Sequence, residues 1–241
     1  TENDAAINAV ALAADTTPPA VDFIFPADGD TVFGTITIQV SATDNVGVTS
    51  VQCKGDGKTF GTKTASPYNF PGKTRAVMNG RHLLQAKAVD AAGNSGTKQI
   101  IIHVLNPGPI PVEQQLLALI NTERSNRGLP TLTFNSKLHT SARKHARDMA
   151  DNNIYGHTGS DGSAPWDRME LAGYMWTAAV ENIAGESTMA IDVFNKWMAS
   201  SSMRANMLEP SLRDGGVGTW YNAHPNSAYH SYWVMDIGST Q

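Results

Sequence analysis

The run Asn106-Pro107-Gly108-Pro109-Ile110-Pro111 divides this 241-residue chain into two stretches of different periodicity. Proline has no backbone N–H and locks φ, so a run this dense ends any strand or helix that reaches it and holds the chain extended. No single periodic element crosses it. One folding unit on each side follows, and the length suits two ordinary domains. The expected division is a leader over 1–16, a first domain over 17–105, a linker over 106–111 and a second domain over 112–241. The Ala-rich stretch 7–15 follows Glu2 and Asp4 without a basic start, so it reads as a flexible or weakly helical leader, not a signal peptide.

Before the run, the period is two. Thr35–Ala42 and Arg81–Asp90 alternate apolar and polar residues, as half-buried strands do. Val21–Phe25, Val48–Gln52 and Gln99–Val104 are further extended segments, separated by turns such as Asp44-Asn45-Val46-Gly47 and Ala91-Ala92-Gly93-Asn94. Short strands at this spacing predict an all-β sandwich. Gly55-Asp56-Gly57-Lys58-Thr59 looks superficially like a phosphate loop, but Gln52 stands where the first glycine is required, so a hairpin turn is expected. Asp44, Asp90 and Asn94 offer oxygen donors for calcium; their plainer role is turn formation. Cys53 is the one cysteine, which excludes an intrachain disulfide and leaves it as a small packed residue.

After the run, the period is helical. Val112, Leu116, Leu119 and Ile120 mark a helix to Arg127, and Asn135-Ser136 caps a second through about Asn153. On that helix Leu138, Ala142, Ala146 and Met149 form one face, while Arg143, Lys144, Arg147 and Asp148 face away. His139 and His145 stand six apart, off the spacing that shares a face, and read as solvated. Pro165–Ala172 is a short helix, Ser187 or Thr188 caps another through Met198, and Gly216–Tyr221 and Tyr229–Ile237 are strands. Helices followed by strands predict an α+β domain.

Composition narrows the function. Hydrophobic residues at 41% and charged residues at 17% describe a globular chain. A net charge of −4 without a basic block argues against nucleic acid as a partner. No apolar run approaches the ~18 residues of a transmembrane segment. The chemistry concentrates in Tyr155–Ser187, where His157 sits in a polar glycine-rich loop with Asp161 and is followed by Glu181-Asn182. An imidazole and a carboxylate make half a metal site, a general acid/base pair, or a hydrogen-bonded pair that ties two loops together. No Gly-x-Ser-x-Gly elbow and no His-Glu-x-x-His motif accompanies them, and Ser200-Ser201-Ser202 reads as a helix end. Trp166, Trp176, Trp197, Trp220 and Trp233 read as core and cleft-wall aromatics, with a stacking platform for a sugar as the alternative.

The phrases TTPP, SATDNVGV and AVDAAGN give the first half a resemblance to bacterial immunoglobulin-like domains, which implies a spacer or adhesive module of an exported protein. In the second half, Leu117-x-x-Ile120-Asn121-x-x-Arg124, Gly128-Leu129-Pro130, Gly156-His157-Thr158, Glu181-Asn182-Ile183-Ala184, Trp197-x-x-Ser200, Arg204-Ala205-Asn206-Met207-Leu208, Gly216-Val217-Gly218 and Tyr232-Trp233-Val234 follow one another in order. Together they resemble the CAP superfamily (cysteine-rich secretory proteins, antigen 5, pathogenesis-related 1), in its cysteine-free bacterial branch. The resemblance implies an α-β-α sandwich with an open cleft holding two histidines and two acidic residues, in some members with zinc or another divalent ion. His157 and Glu181 match the first histidine and the glutamate. Met203 stands where the second histidine is expected, and a thioether is a poor zinc ligand and no base. Ser200 lies near the second acidic position, for which Asp214 is the substitute, while His224 and His230 are the histidines available for recruitment. The resulting expectation is a bacterial protein, secreted or on the cell surface, whose function is non-enzymatic binding. Its cleft, bordered by His157, Glu181, Asn182, Asp161, Asp214, His230 and Trp233, takes a small ligand, lipid, glycan or peptide. The alternatives are a metal-assisted hydrolase acting on peptide or glycan through His157, Glu181 and a recruited His224 or His230, and a purely structural or adhesive protein with cell-surface or extracellular partners.

Overall fold

The computed structural model describes residues 14–241, so the leader expected over 1–16 lies for the most part outside the described residues. Eight strands precede the linker: β1 (Ala20–Phe25), β2 (Thr31–Val32), β3 (Thr35–Thr43), β4 (Val48–Gly55), β5 (Lys58–Lys63), β6 (Tyr68–Lys73), β7 (Gly80–Asp90) and β8 (Ser95–Val104). β1, β3 and β6 form one antiparallel sheet; β4, β5, β7 and β8 form the facing one, with β2 beside β8. The alternation seen in the sequence supplies the core: Ile38 and Val40 from β3 meet Leu84, Ala86 and Ala88 from β7, all buried. Cys53 lies in this core, and burial pushes its thiol up to about 12, so it stays protonated and unreactive at neutral pH. Asp56-Gly57 is the turn of the β4–β5 hairpin, as the missing glycine of the phosphate-loop pattern predicts.

The second half contains α1 (Pro111–Asn126), β9 (Thr133–Phe134), α2 (Ser136–Asn152), α3 (Pro165–Leu171), β10 (Ala178–Gly185), α4 (Ala190–Ala199), α5 (Ser201–Leu208), β11 (Asp214–Asn222) and β12 (Ser231–Ser239). β10, β12 and β11 pair antiparallel in that order. Because side chains alternate across a strand, Glu181, Asp236 and Gly216 are cross-strand neighbours on one face, and Asn182, Met235 and Val217 on the other. Ala142, Ala146 and Met149 of α2 pack on the first face with Val234 and Tyr232; Leu116, Ile120 and Trp197 pack on the second with Trp233, Met235 and Ile237. The result is the three-layer α-β-α domain expected.

α2 lies almost on the strand backbone. A Cβ on Gly216 would stand 2.1 Å from His139 N, and one on Gly218 2.1 Å from Arg143 N. This close seat widens the buried stripe of α2 beyond the Leu138–Met149 row, so His139 and His145, expected in solvent, are buried at 6% and 0% exposure. Arg143, expected to face away, instead pairs with buried Glu113 through Nη2 at 2.6 Å. Two caps also differ. Met189 holds the cap position of α4 while the Ser187 hydroxyl accepts from Met189 N, and the Ser200 side chain starts α5 by accepting from Met203 N.

The linker is not a free spacer. β4 stops at Gly55 opposite Leu84, which leaves Gly80 and Arg81 of β7 open, and Tyr221 and Asn222 of β11 pair with them in parallel. Strands from both halves therefore share one sheet. Gly80 sits at φ +136°, and a Cβ there would fall 1.9 Å from Tyr221 O. Asn106 is buried and exchanges hydrogen bonds with Asn79 and Thr74. Arg75 donates to the carbonyls of Pro107 and Pro109. The Glu113 carboxylate accepts from Ile110 N (2.9 Å), Thr219 N (2.9 Å) and Arg143. Prolines that cannot donate leave carbonyls to be satisfied, and arginines from both sides satisfy them.

Candidate functional site

His157 and Glu181 meet. The His157 Nδ1–H donates to Glu181 Oε1 at 2.7 Å, and Arg168 Nη2 donates to Glu181 Oε2 at 2.8 Å. Glu181 and Arg168 are buried, whereas the His157 side chain is 54% exposed. The loop carrying His157 is fixed from beneath. His145 Nε2–H donates to Gly156 O (2.8 Å), Arg168 donates to His157 O (3.0 Å) and to Ser163 O (2.8 Å), and Asp148 accepts from the backbone and hydroxyl of Ser160. Burial lowers the His145 pKa, which keeps it neutral with a proton on Nε2. The hydrogen bond that His157 donates to Glu181 raises the His157 pKa against the opposing effect of partial burial. Its Nε2 has no partner among the described residues. The site thus presents one oriented imidazole edge to solvent, backed by a buried carboxylate and a buried guanidinium.

Asp236 lies under this pair. It is directly opposite Glu181 across β10 and β12, fully buried, and neither carboxyl oxygen has a hydrogen-bond partner. Burial, and then the charge of Glu181, raise its pKa well above the usual carboxylate range, which favours the neutral form. The sequence reading missed Asp236, Arg168 and His145. A signal was present for Asp236, the only charged residue in the otherwise apolar and small-residue strand Ser231–Ser239. His145 had one too, standing three residues after Ala142 and four before Met149 on the apolar row of α2.

The remaining expected cleft residues disperse. Asp161 is exposed in the His157 loop, where the Ser163 side chain and then its backbone N–H, at 3.0 Å, hold its pKa low. Asn182, next to Glu181 on one strand, necessarily faces the other layer; it donates to Met203 O and accepts from Asn206. Trp233 is fully buried in that same layer, with its Nε1–H on Ser187 O. Asp214 accepts from the Tyr174 hydroxyl at 2.9 Å at the far end of the sheet. His224 is exposed in the β11–β12 connection and accepts from Asn226 N, and His230 binds Asn222 O and tilts against the Tyr221 ring. Neither touches His157 or Glu181. Trp220 packs with α2 under Arg147 and is core.

This donor set does not suit zinc. A catalytic zinc keeps three protein ligands and an open position. Here both Glu181 oxygens are engaged by His157 and Arg168, and His157 Nε2 remains as a single donor. A different cluster suits a harder cation. Oxygens of Asp15, Asp44 and Asp90 lie within 4.8 Å of one another, and Asp15 Oδ2 and Asp44 Oδ1 are buried without partners. Asn94, expected among the oxygen donors, instead directs its amide nitrogen at Asp90 and at the Asp15 carbonyl, and Asp15 takes its place.

Together, the immunoglobulin-like sandwich and the three-layer domain with its histidine–carboxylate pair define an extracellular-type class of protein. The family model described as "Cysteine-rich secretory protein family" matches residues 117–237, half of the chain, and "Bacterial Ig domain" matches residues 19–86. The chain belongs to the cysteine-rich secretory protein family. YkwD of Bacillus subtilis (strain 168) is 35% identical over 106 residues, covering 44% of this chain and 41% of that protein. The chain therefore spans less than half of that relative's length. An extracellular protein containing an SCP domain from Bacillus anthracis str. Ames superposes with a TM-score of 0.48 at 15% identity, covering 85% of this chain and 82% of that one. An outer surface protein from Borrelia burgdorferi gives 0.48 at 19% identity over 53% and 92%.

Proposed function

We propose that this chain is a secreted or cell-surface binding module, and that its ligand is held at the exposed edge of His157. The observation that carries this reading is the burial of Glu181, 1% exposed, beneath its hydrogen bonds from His157 Nδ1 and Arg168. A carboxylate buried in this way orients an imidazole but is shielded from a metal ion or water arriving from solvent. The exposed Nε2 has no side-chain nucleophile to activate, because no serine or cysteine within the described residues hydrogen-bonds it. As an imidazolium it donates a hydrogen bond, so it favours ligands that present an anionic or hydroxyl oxygen, as peptides, glycans and lipid headgroups do. Family membership and the sandwich domain ahead of it support export, and no helix among the described residues is long and apolar enough to cross a membrane.

The test uses the full chain with a defined muropeptide and a casein-derived peptide mixture. Saturable binding that weakens in His157→Ala and as pH rises through the His157 pKa, without product formation, is the expected result. Turnover of either substrate that His157→Ala abolishes would sink the reading.

A further inference from the structure

An open groove of about 720 Å3 lies at the end of the sheet where β11 begins and β12 finishes. That volume lies in the range of sites that hold small ligands. Three of its bordering side chains are apolar and exposed: Phe134 at 43%, Met175 at 67% and Trp176 at 37%. Phe134 comes from β9 and the other two from the α3–β10 connection, so tertiary structure alone gathers them. Trp197, Trp220 and Trp233 are buried, so of the five tryptophans Trp166 and Trp176 remain for a stacking platform, and Trp176 borders this groove. Both sides are tied to the fold. Phe134 pairs with Gly215 of β11, and Asn135 N donates to Gly215 O at 2.9 Å. In the connection, Tyr174 N donates to Met169 O and Thr177 N to Ser239 O.

The polar groups beside these apolar side chains are of mixed kind, and each has capacity left. Asp214 accepts from the buried Tyr174 hydroxyl through Oδ2, which orients the carboxylate and leaves Oδ1 without a partner among the described residues. Asn135 gives its side-chain oxygen to Lys137 N as the cap of α2, and its amide Nδ2 has no acceptor among those residues. Within the same set, Lys137 has no carboxylate in ion-pair reach and the Trp176 indole N–H has no acceptor. This combination selects a ligand. An apolar molecule would strip water from Asp214 and Asn135 and return no hydrogen bond. An anion would meet the Asp214 carboxylate, and a cation the Lys137 ammonium. A pyranose ring suits all of them, because its C–H face packs on an aromatic ring while its hydroxyls both donate and accept.

We infer that this groove binds a neutral glycan, with one sugar ring packed on Trp176 and its hydroxyls held by Asp214, Asn135 and Lys137. None of the bordering residues belongs to β10, α3 or the His157 loop, so this is a second site beyond the one proposed above. The probe is chitotetraose, titrated into the isotope-labelled full chain and followed by NMR at the tryptophan indole N–H resonances. The Trp176 resonance, assigned by its loss in Trp176→Phe, is expected to shift saturably with a Kd below ~1 mM. Trp176→Ala is expected to weaken binding about tenfold by removing the platform. Trp176→Phe, which keeps an aromatic face, is expected to retain most of the affinity, and this separates a lost platform from a misfolded chain. Asp214→Asn keeps the contact with Tyr174 and removes the charge, and is expected to weaken binding about threefold. The absence of a saturable Trp176 shift at millimolar sugar overturns the inference, as does a shift of Trp166 alone. Saturation by tetraalanine without a response to chitotetraose overturns it by making the groove a peptide site. Chitotetraose binding that disappears in His157→Ala and persists in Trp176→Ala overturns it too, by placing the sugar in the other site.

Discussion

The behaviour of His157 rests on one hydrogen bond. Because Glu181 raises its folded pKa above the unfolded value of about 6.5, its contribution to stability is complete below that value and is lost as pH rises through the folded pKa. Histidine-resolved NMR titration is expected to place the His157 midpoint above that of a free imidazole, and to find it shifted downward in Glu181→Gln, which keeps the shape and removes the charge. An unchanged midpoint in that variant would refute the assigned cause. At this scale the sequence reveals His157 and Glu181, each conspicuous in its local context. It does not reveal Arg168, whose role depends on two backbone carbonyls and a carboxylate that only the fold assembles.

At the scale of elements, the seat of α2 on β11 is the tightest constraint. Gly218→Ala would drive a methyl into the α2 backbone, at an expected cost of about 3 kcal/mol, measured by denaturant unfolding. Asp236 on β12 makes a pH-dependent contribution of the opposite kind to a salt-bridged acid. The unfolded chain ionises it above about pH 4, while the folded chain keeps it protonated, so wild-type stability falls as pH rises from there toward the folded value. Asp236→Asn is expected to lose that slope and to gain on wild type between pH 4 and 7. Parallel slopes would refute a raised pKa. Helices α1 and α2 were legible because each carries an apolar stripe. β10 was legible only as a motif, since a strand covered by helices on both faces shows no alternation. The buried histidines of α2 were misread for a related reason. Periodicity locates the middle of a buried face, and its width depends on the glycines opposite.

For the whole molecule, the proline run signals a change of period but not how the stretches on its two sides meet. The pairing of β7 with β11 is a backbone event between distant segments, and no local pattern announces it. The junction is expected to make the two halves unfold together. Scanning calorimetry should give one transition for the wild type and two for Gly80→Ala, whose Cβ would collide with the Tyr221 carbonyl. Two transitions in the wild type would mean that the shared sheet couples the halves only weakly.

The His157–Glu181 pair is proposed to orient one imidazole for binding and not to form a metal centre. The most direct measurement is a calorimetric titration of zinc into the full chain and into His157→Ala. The two proteins are expected to give the same isotherm, with no micromolar uptake that depends on His157. One zinc per chain at micromolar Kd, lost in His157→Ala, would make the pair a metal site instead.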